Sequence, residues 1–277
     1  GGDLTRTKFE GTTGPTTVNI AGGESIRGVW LPGNTVGNLN SGTMGRVAGG
    51  QAAVIAEDTA TFNVNGGSTD TFILLLDDAM LFQTGGSIWG GIQLNDDAVA
   101  NVSGGSSGFG GFMRGEDNVF NLSGGTVGRD FVVEKGVFNM SGGGMDTNCG
   151  IINTSGVDPV FNMTGGALGS GFRAYDGTFN LSGGLVGDVF RLGRPSGIAS
   201  GVTMNITCKS AMIDGVPLML TTAPTTITTR GGAFLSVVLL DDSLVGFDLN
   251  EDFVAGEDRF RAAATLTIAL GMSSGCV

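Results

Sequence analysis

The sequence predicts an all-β chain folded as a single right-handed parallel β-helix, a β-solenoid of about eleven coils with capping or assembly segments at both ends. Three observations predict it. The first is a recurring phrase. Phe120-Asn121-Leu122-Ser123-Gly124-Gly125 returns as Phe138-Asn139-Met140-Ser141-Gly142-Gly143, Phe161-Asn162-Met163-Thr164-Gly165-Gly166 and Phe179-Asn180-Leu181-Ser182-Gly183-Gly184. The second is its period. From Gly66 the first glycine of each pair falls at 66, 85, 104, 124, 142, 165 and 183, in steps of 19, 19, 20, 18, 23 and 18. A propeller blade needs about forty residues, whereas a step near twenty suits one solenoid turn. The uneven steps favour loops let out at a corner over a strict hexapeptide helix. The third is alternation: Phe and Leu or Met share one side of the phrase, Asn and Ser the other, as on a strand. No window of helical period interrupts the array.

Taken in order, residues 1–17 are polar and read as an N-terminal arm. Residues 18–208 read as the solenoid. Looser copies of the phrase open it at Val18 to Gly23, Phe62 to Gly67 and Ala100 to Gly105, and the array is cleanest from Glu57 to Gly193. Gly-Gly ends each first strand because glycine reaches positive φ without a Cβ penalty. Further short segments follow, such as Thr126-Val127-Gly128 and Phe131-Val132-Val133. Phe62, Phe120, Phe138, Phe161 and Phe179 are expected to stack in one core column, and Phe112, Phe131, Phe172 and Phe190 in another. Excursions are expected around Ala48 to Val54 and after Arg194. Beyond Cys208 the phrase fades, and 209–277 reads as irregular coils with a cap or assembly segment. Its stretch Ala262 to Leu270 alternates well enough for a terminal strand. Terminal repeats of a solenoid must differ from interior ones because they meet water.

Composition narrows the partners. Fifty-two glycines among 277 residues would ordinarily signal disorder, but here they mark regular corners, and 40% of the residues are still apolar. The net charge of −12, with 26 acidic residues, argues against nucleic acid and anionic lipid as partners. No run approaches the ~18 apolar residues of a membrane span. The start at Gly1-Gly2 fits a processed mature protein. Cys149, Cys208 and Cys276 are too few for a disulfide scaffold. Cys149 and Cys208 lie about three coils apart, roughly 14 Å, which is too far for a bridge.

Two columns of polar residues are candidate sites. Eight residues before successive first glycines stand Asp58, Asp77, Asp96, Glu116 and Glu134, with Asp78, Asp97 and Asp117 beside them, and Asp158 and Asp176 follow in later coils. Like charges at ~5 Å repel by somewhat under 1 kcal/mol in water. Either the column is a solvated turn, since Asp favours corners, or Asp58, Asp77, Asp78, Asp96, Asp97, Glu116 and Asp117 offer oxygens to Ca²⁺. Arg114, Arg173 and Arg191 are alternative neutralising partners. No Gly-rich calcium nonapeptide recurs. The second column is Asn101, Asn121, Asn139, Asn162, Asn180 and Asn205, each opening an Asn-x-Ser/Thr sequon. Glycans one strand spacing apart would be crowded. Amides hydrogen-bonded from coil to coil are the favoured reading, and glycosylation is the other.

Catalytic chemistry is sparsely supplied. The absence of histidine removes Ser-His-Asp and Cys-His nucleophiles. One tyrosine, Tyr175, and two tryptophans, Trp30 and Trp89, are few for sugar-stacking platforms. Paired carboxylates serve glycosidases, but these acids recur periodically, where an active site is one unique constellation.

The phrase at Phe120–Gly125 and Phe179–Gly184 resembles the Gly/Asn-rich repeats of bacterial secreted right-handed β-helix proteins, the autotransporter-passenger-like surface and filament proteins. The resemblance covers about 57–207. It implies an extracellular or cell-surface protein used in adhesion, surface layers or filaments, and it carries over no catalytic residue. The leading expectation is a structural protein whose copies assemble head to tail into a filament or surface array. A glycan-binding adhesin or phage-tail-like fibre and a polysaccharide-degrading enzyme are the alternatives. Assembly is expected at the ends, through Arg6 and Lys8 of the arm and through Leu266 and Ile268 of the terminal strand, which alternates as an added strand must. The competing expectation is that both segments fold back and cap their own solenoid.

Overall fold

The structure, a computed structural model, describes residues 7–8, 16–22, 24–26, 28–45, 51–153, 156–194, 201–251, 258–261 and 264–271. Residues 46–50, 195–200, most of the N-terminal arm and Cys276 lie outside the described residues; of the excursion expected around Ala48 to Val54, Ala52 and Ala53 are instead buried in the core and Val54 opens a strand. The chain is all-β, and its strands stack as a parallel β-solenoid. Each turn has three faces. The asparagine face carries the phrase, for example Thr61–Val64, Met80–Gln83, Val99–Val102, Val119–Leu122 and Val137–Met140. A short second face follows each Gly-Gly, as at Ser68–Thr69, Ser87–Ile88, Ser106–Ser107 and Thr126–Val127. The third face is aliphatic, as at Val54–Ala56, Ile73–Leu75, Ile92–Leu94 and Val132–Val133. Among the described residues nine turns, from the one opening at Thr17–Ile20 to the one closing at Arg191–Leu192, have all three faces. At ~4.8 Å per turn they form a rod of roughly 43 Å.

Nine turns are fewer than the eleven coils expected. The asparagine face does hold further strands at its C-terminal end, but these belong to a cap that leaves the three-sided path.

The phrase builds the core as its alternation requires. Phe120, Phe138, Phe161 and Phe179 are fully buried, with Leu122, Met140, Met163 and Leu181 two residues on. Like residues meet because each strand pairs in register with the next turn: Phe120 with Phe138, Asn121 with Asn139, Leu122 with Met140. The rings stack face to face, Phe120 on Phe138 at 4.8 Å and Phe138 on Phe161 at 4.7 Å between centroids. Phe131 packs edge-on against Phe120 at 5.3 Å. Such geometry suits the ring quadrupole.

The second phenylalanine column needs a correction. Phe131, Phe172 and Phe190 are buried, and Cys149 takes the equivalent place in the turn between Phe131 and Phe172. Phe112 is not in the column. It pairs in register with Gln93 and Val132 on the outward side. A Cβ on Gly111, the residue before it, would lie 2.6 Å from the Phe131 ring, so the core place here is left to Phe131.

The Gly-Gly corner uses its two glycines differently. Gly125 has φ of 74°, the conformation expected. Gly124 is needed for close approach, because its Cβ would come 2.4 Å from the Ser103 carbonyl oxygen of the preceding turn. Both requirements recur around the rod, and together they fix the phrase.

The C-terminal cap begins where a corner is missing. Thr203–Ile213 enters as the next asparagine-face strand, Asn205 in register with Asn180. Cys208-Lys209 stand where earlier turns have Gly-Gly, so the strand runs on through the boundary expected at 208. Its second half pairs antiparallel with Ala233–Leu239, which pairs antiparallel with Leu244–Leu249. This meander lies across the ninth turn. The Leu240 N–H donates to Ser182 O at 2.9 Å, and Gly184 N–H donates to Asp241 Oδ2 at 2.7 Å. Phe247 meets Phe190 at 5.6 Å between centroids. Arg259–Phe260 then continues the third face beside Arg191–Leu192, and Thr265–Leu270 pairs parallel with Thr203–Ile213.

Candidate functional site

The asparagine column is a hydrogen-bonded ladder. Asn121 Nδ2 donates to Asn101 Oδ1 at 2.9 Å, Asn139 to Asn121 at 2.9 Å, Asn162 to Asn139 at 2.9 Å, Asn180 to Asn162 at 2.7 Å and Asn205 to Asn180 at 2.9 Å. Thr267 Oγ1 closes it on Asn205 Oδ1 at 2.7 Å. A shorter ladder joins Asn63, Asn38 and Asn19. Phe82 separates the two, in register with Asn63 and Asn101. The nitrogen to which an N-linked glycan would attach is thus engaged in the sequons from Asn121 to Asn205. Asn101, beside Phe82, begins its run as an acceptor.

The acidic corner resolves into three arrangements. Asp58, Asp77 and Asp96 adopt positive φ of 58°, 54° and 56°, a conformation Asp tolerates better than most side chains. Each caps the corner one turn back: Gly33 N–H donates to Asp58 Oδ2 at 2.9 Å, Asp58 N–H to Asp77 Oδ2 at 3.1 Å and Asp77 N–H to Asp96 Oδ2 at 3.3 Å. At the next turn an extra residue breaks the register, and buried Asn118 takes over the task. It accepts from Gly115 N–H at 2.7 Å and donates to Asp96 O at 2.7 Å. Glu116 and Glu134 are not in the stack. Glu116 pairs with Lys135 at 3.1 Å and Glu134 with Arg114 at 2.9 Å. Asp78, Asp97 and Asp117 are exposed beside the stack. Partial desolvation, then Asp117, Asp78, Asp96 and Asp77, push the Asp97 pKa up. Among the described residues no three acidic, cysteine or histidine side chains converge closely enough to hold a metal ion. Of the expected arginine partners, Arg114 meets this column, whereas Arg173 donates to Asn148 Oδ1 at 3.2 Å. Asp176 is held by Arg194 at 2.6 Å.

The residues expected to mediate assembly fall in different places. Arg6 lies outside the described residues. Lys8 belongs to Thr7–Lys8, which pairs with Val29 and Trp30 on the third face; its side chain is outside the description. Leu266 and Ile268 are fully buried in the chain's own core. Their strand is flanked by Thr203–Ile213 on one side and by Thr225–Thr226, antiparallel, on the other. The hydrogen-bonding edges of this strand are therefore met by the chain itself, while residues 272–277 lie outside the described residues.

Two surface features lay outside the sequence reading. The outer side of the meander exposes Met212, Phe234 and Leu244, with Met219 beyond it almost wholly in solvent, and Leu185 of the ninth turn is exposed too. Alternation in 233–239 and 244–249 around Asp241-Asp242-Ser243 is a hairpin signal that could have revealed this sheet. The other feature is a slot of about 400 Å³ where the second face meets the third in turns three to five, lined by Asp70, Phe72, Trp89, Gly90 and Phe109. Trp89 is 59% exposed and Phe109 54%. A tryptophan directly after Ser87-Ile88, which pair with Ser68-Thr69 and Ser106-Ser107, inside an otherwise Gly-rich corner, was the available signal.

Cys149 and Cys208 are buried free thiols, and burial raises the Cys149 pKa to about 11. No helix among the described residues is long and apolar enough to cross a membrane. No protein-family model, curated protein or solved structure matches the chain.

Proposed function

We propose that this chain is an extracellular structural protein, a rigid rod that self-assembles with copies of itself into a filament or surface array. The observation that carries it is the outer face of the cap. Met212, Phe234 and Leu244 leave apolar side chains in water on one antiparallel sheet, with Met219 exposed beyond it, while the opposite side of that sheet buries Leu235, Val237, Phe247 and Leu249 in the core. Exposed apolar surface gathered in this way marks contact with protein. Contact through a side-chain face replaces strand addition by Leu266 and Ile268, whose strand is already paired on both sides. Cap meeting cap gives a closed two-fold pair, and cap meeting another surface of the rod gives an open chain. The extracellular setting rests on the resemblance to secreted β-helix repeat proteins. The corner aspartates and stacked asparagines are engaged in holding turns together, which suits a rod.

Light scattering coupled to size exclusion tests the proposal. The native chain is expected to run as a dimer or larger species whose mass rises with concentration. Phe234→Asp combined with Leu244→Lys is expected to give a folded monomer. A native chain that stays monomeric at every concentration overturns the proposal.

A further inference from the structure

We propose that the slot at the corner of turns three to five binds a quaternary ammonium group. Its walls are aromatic: Phe72 half-buried, Trp89 59% exposed and Phe109 54% exposed. Gly90 and Gly110 line it without side chains. A Cβ on Gly90 would lie 2.4 Å from the Phe72 nitrogen, so the backbones of adjacent turns are close-packed beneath the rings. The cavity of about 400 Å³ is within the size range of small-ligand sites.

The chemistry of the lining selects the ligand. Asp70 is the one ionisable residue in it, and the rest is ring carbon, glycine backbone and Thr71. A cation over aromatic faces is attracted by their quadrupoles, and quaternary ammonium groups are recognised this way. The same attraction already acts on one wall of the slot, where Arg129 lies 5.5 Å from the Phe109 centroid, and beside it, where Arg114 lies 3.8 Å from that of Phe112. The Arg129 charge is met by Asp130 at 4.0 Å. An anion would face Asp70 and a chain of net charge −12. A saccharide would bring several hydroxyls to a lining that offers one carboxylate and one hydroxyl side chain, and unpaired hydroxyls oppose burial. A methylated ammonium needs no hydrogen bonds and presents carbon to the rings.

The test titrates the full chain with choline and with 3,3-dimethylbutan-1-ol, its neutral carbon isostere, following the ligand methyl signal by saturation-transfer NMR. Choline is expected to bind in the millimolar range and the isostere at least about tenfold more weakly, the size of a cation–π and carboxylate contribution. Asp70→Asn should weaken choline by about three- to tenfold and leave the isostere unchanged. Trp89→Ala should abolish binding without lowering Tm, and Trp89→Phe should retain it. Phosphatidylcholine vesicles distinguish the source: co-sedimentation lost in Trp89→Ala assigns a lipid headgroup, and binding of free choline alone assigns a soluble ligand. Equal binding of choline and isostere, binding of neutral saccharides but not choline, or no choline binding overturns the proposal.

Discussion

Phe82 stands where the ladder calls for asparagine, and its ring is 37% exposed. Asn63 and Asn101 stand in register with it on the adjoining turns. Replacing it with asparagine offers both a partner, each bond contributing about 0.5–1.5 kcal/mol net, against the loss of a partly exposed ring. Phe82→Asn is therefore expected to raise the urea midpoint, by on the order of 1 kcal/mol in stability. A lower midpoint would show that the ring's packing outweighs the ladder. Asp77 makes a second residue-scale case. It combines positive φ with a carboxylate that accepts the Asp58 N–H. Asp77→Asn preserves both features and should cost little, whereas Asp77→Ala should cost about 1–2 kcal/mol through the lost acceptor and the strained backbone. If the carboxylates instead held calcium, Asp77→Asn would be as damaging as Asp77→Ala and chelator would lower Tm.

At the scale of elements, the turn and the cap were unequally legible in the sequence. The turn was legible because one residue type occupies one place in each repeat: phenylalanine inward, asparagine outward, glycine at the corner. The cap was not, because an antiparallel meander repeats nothing. Its hydrophobic alternation is the same whether its strands pair with the solenoid, with each other or with another copy. Phe112 was misplaced because a single-residue shift at Gly111 reverses the side of a strand. The acidic column was legible as spacing but not as chemistry, since spacing does not show that Asp58 accepts the Gly33 N–H. Truncating Phe161, stacked on Phe138 at 4.7 Å, should cost about 3–5 kcal/mol in chemical denaturation. The join between cap and rod is expected to depend on pH. Buried Asp258 accepts from Phe190 N–H at 2.6 Å and from Asp248 N–H at 3.1 Å. Burial raises its pKa to about 6, Asp248 and Asp188 add to the rise, and the two backbone donors oppose it. The folded chain keeps this proton while the unfolded chain, with a pKa near ~4, has released it. Stability should thus fall as pH rises from ~4 to ~6, by on the order of 2–3 kcal/mol, and then level off. Asp258→Asn should remove that component of the pH profile; an unchanged profile would assign it elsewhere.

For the whole molecule, interior turns satisfy their edges on the turns above and below, and the cap closes the C-terminal end with the chain's own strands. Polymerisation by adding Thr265–Leu270 to a neighbour's sheet would require that cap to open. The apolar outer face of the meander needs no such opening, so self-association through it is compatible with the folded rod. Negative-stain imaging of the purified chain tests this most directly. Rods of roughly 43 Å joined at the cap end, as pairs or as longer chains, with the joints lost in Phe234→Asp combined with Leu244→Lys, are the expected result. A field of separate single rods from the native chain, at concentrations where scattering and imaging agree, would contradict it.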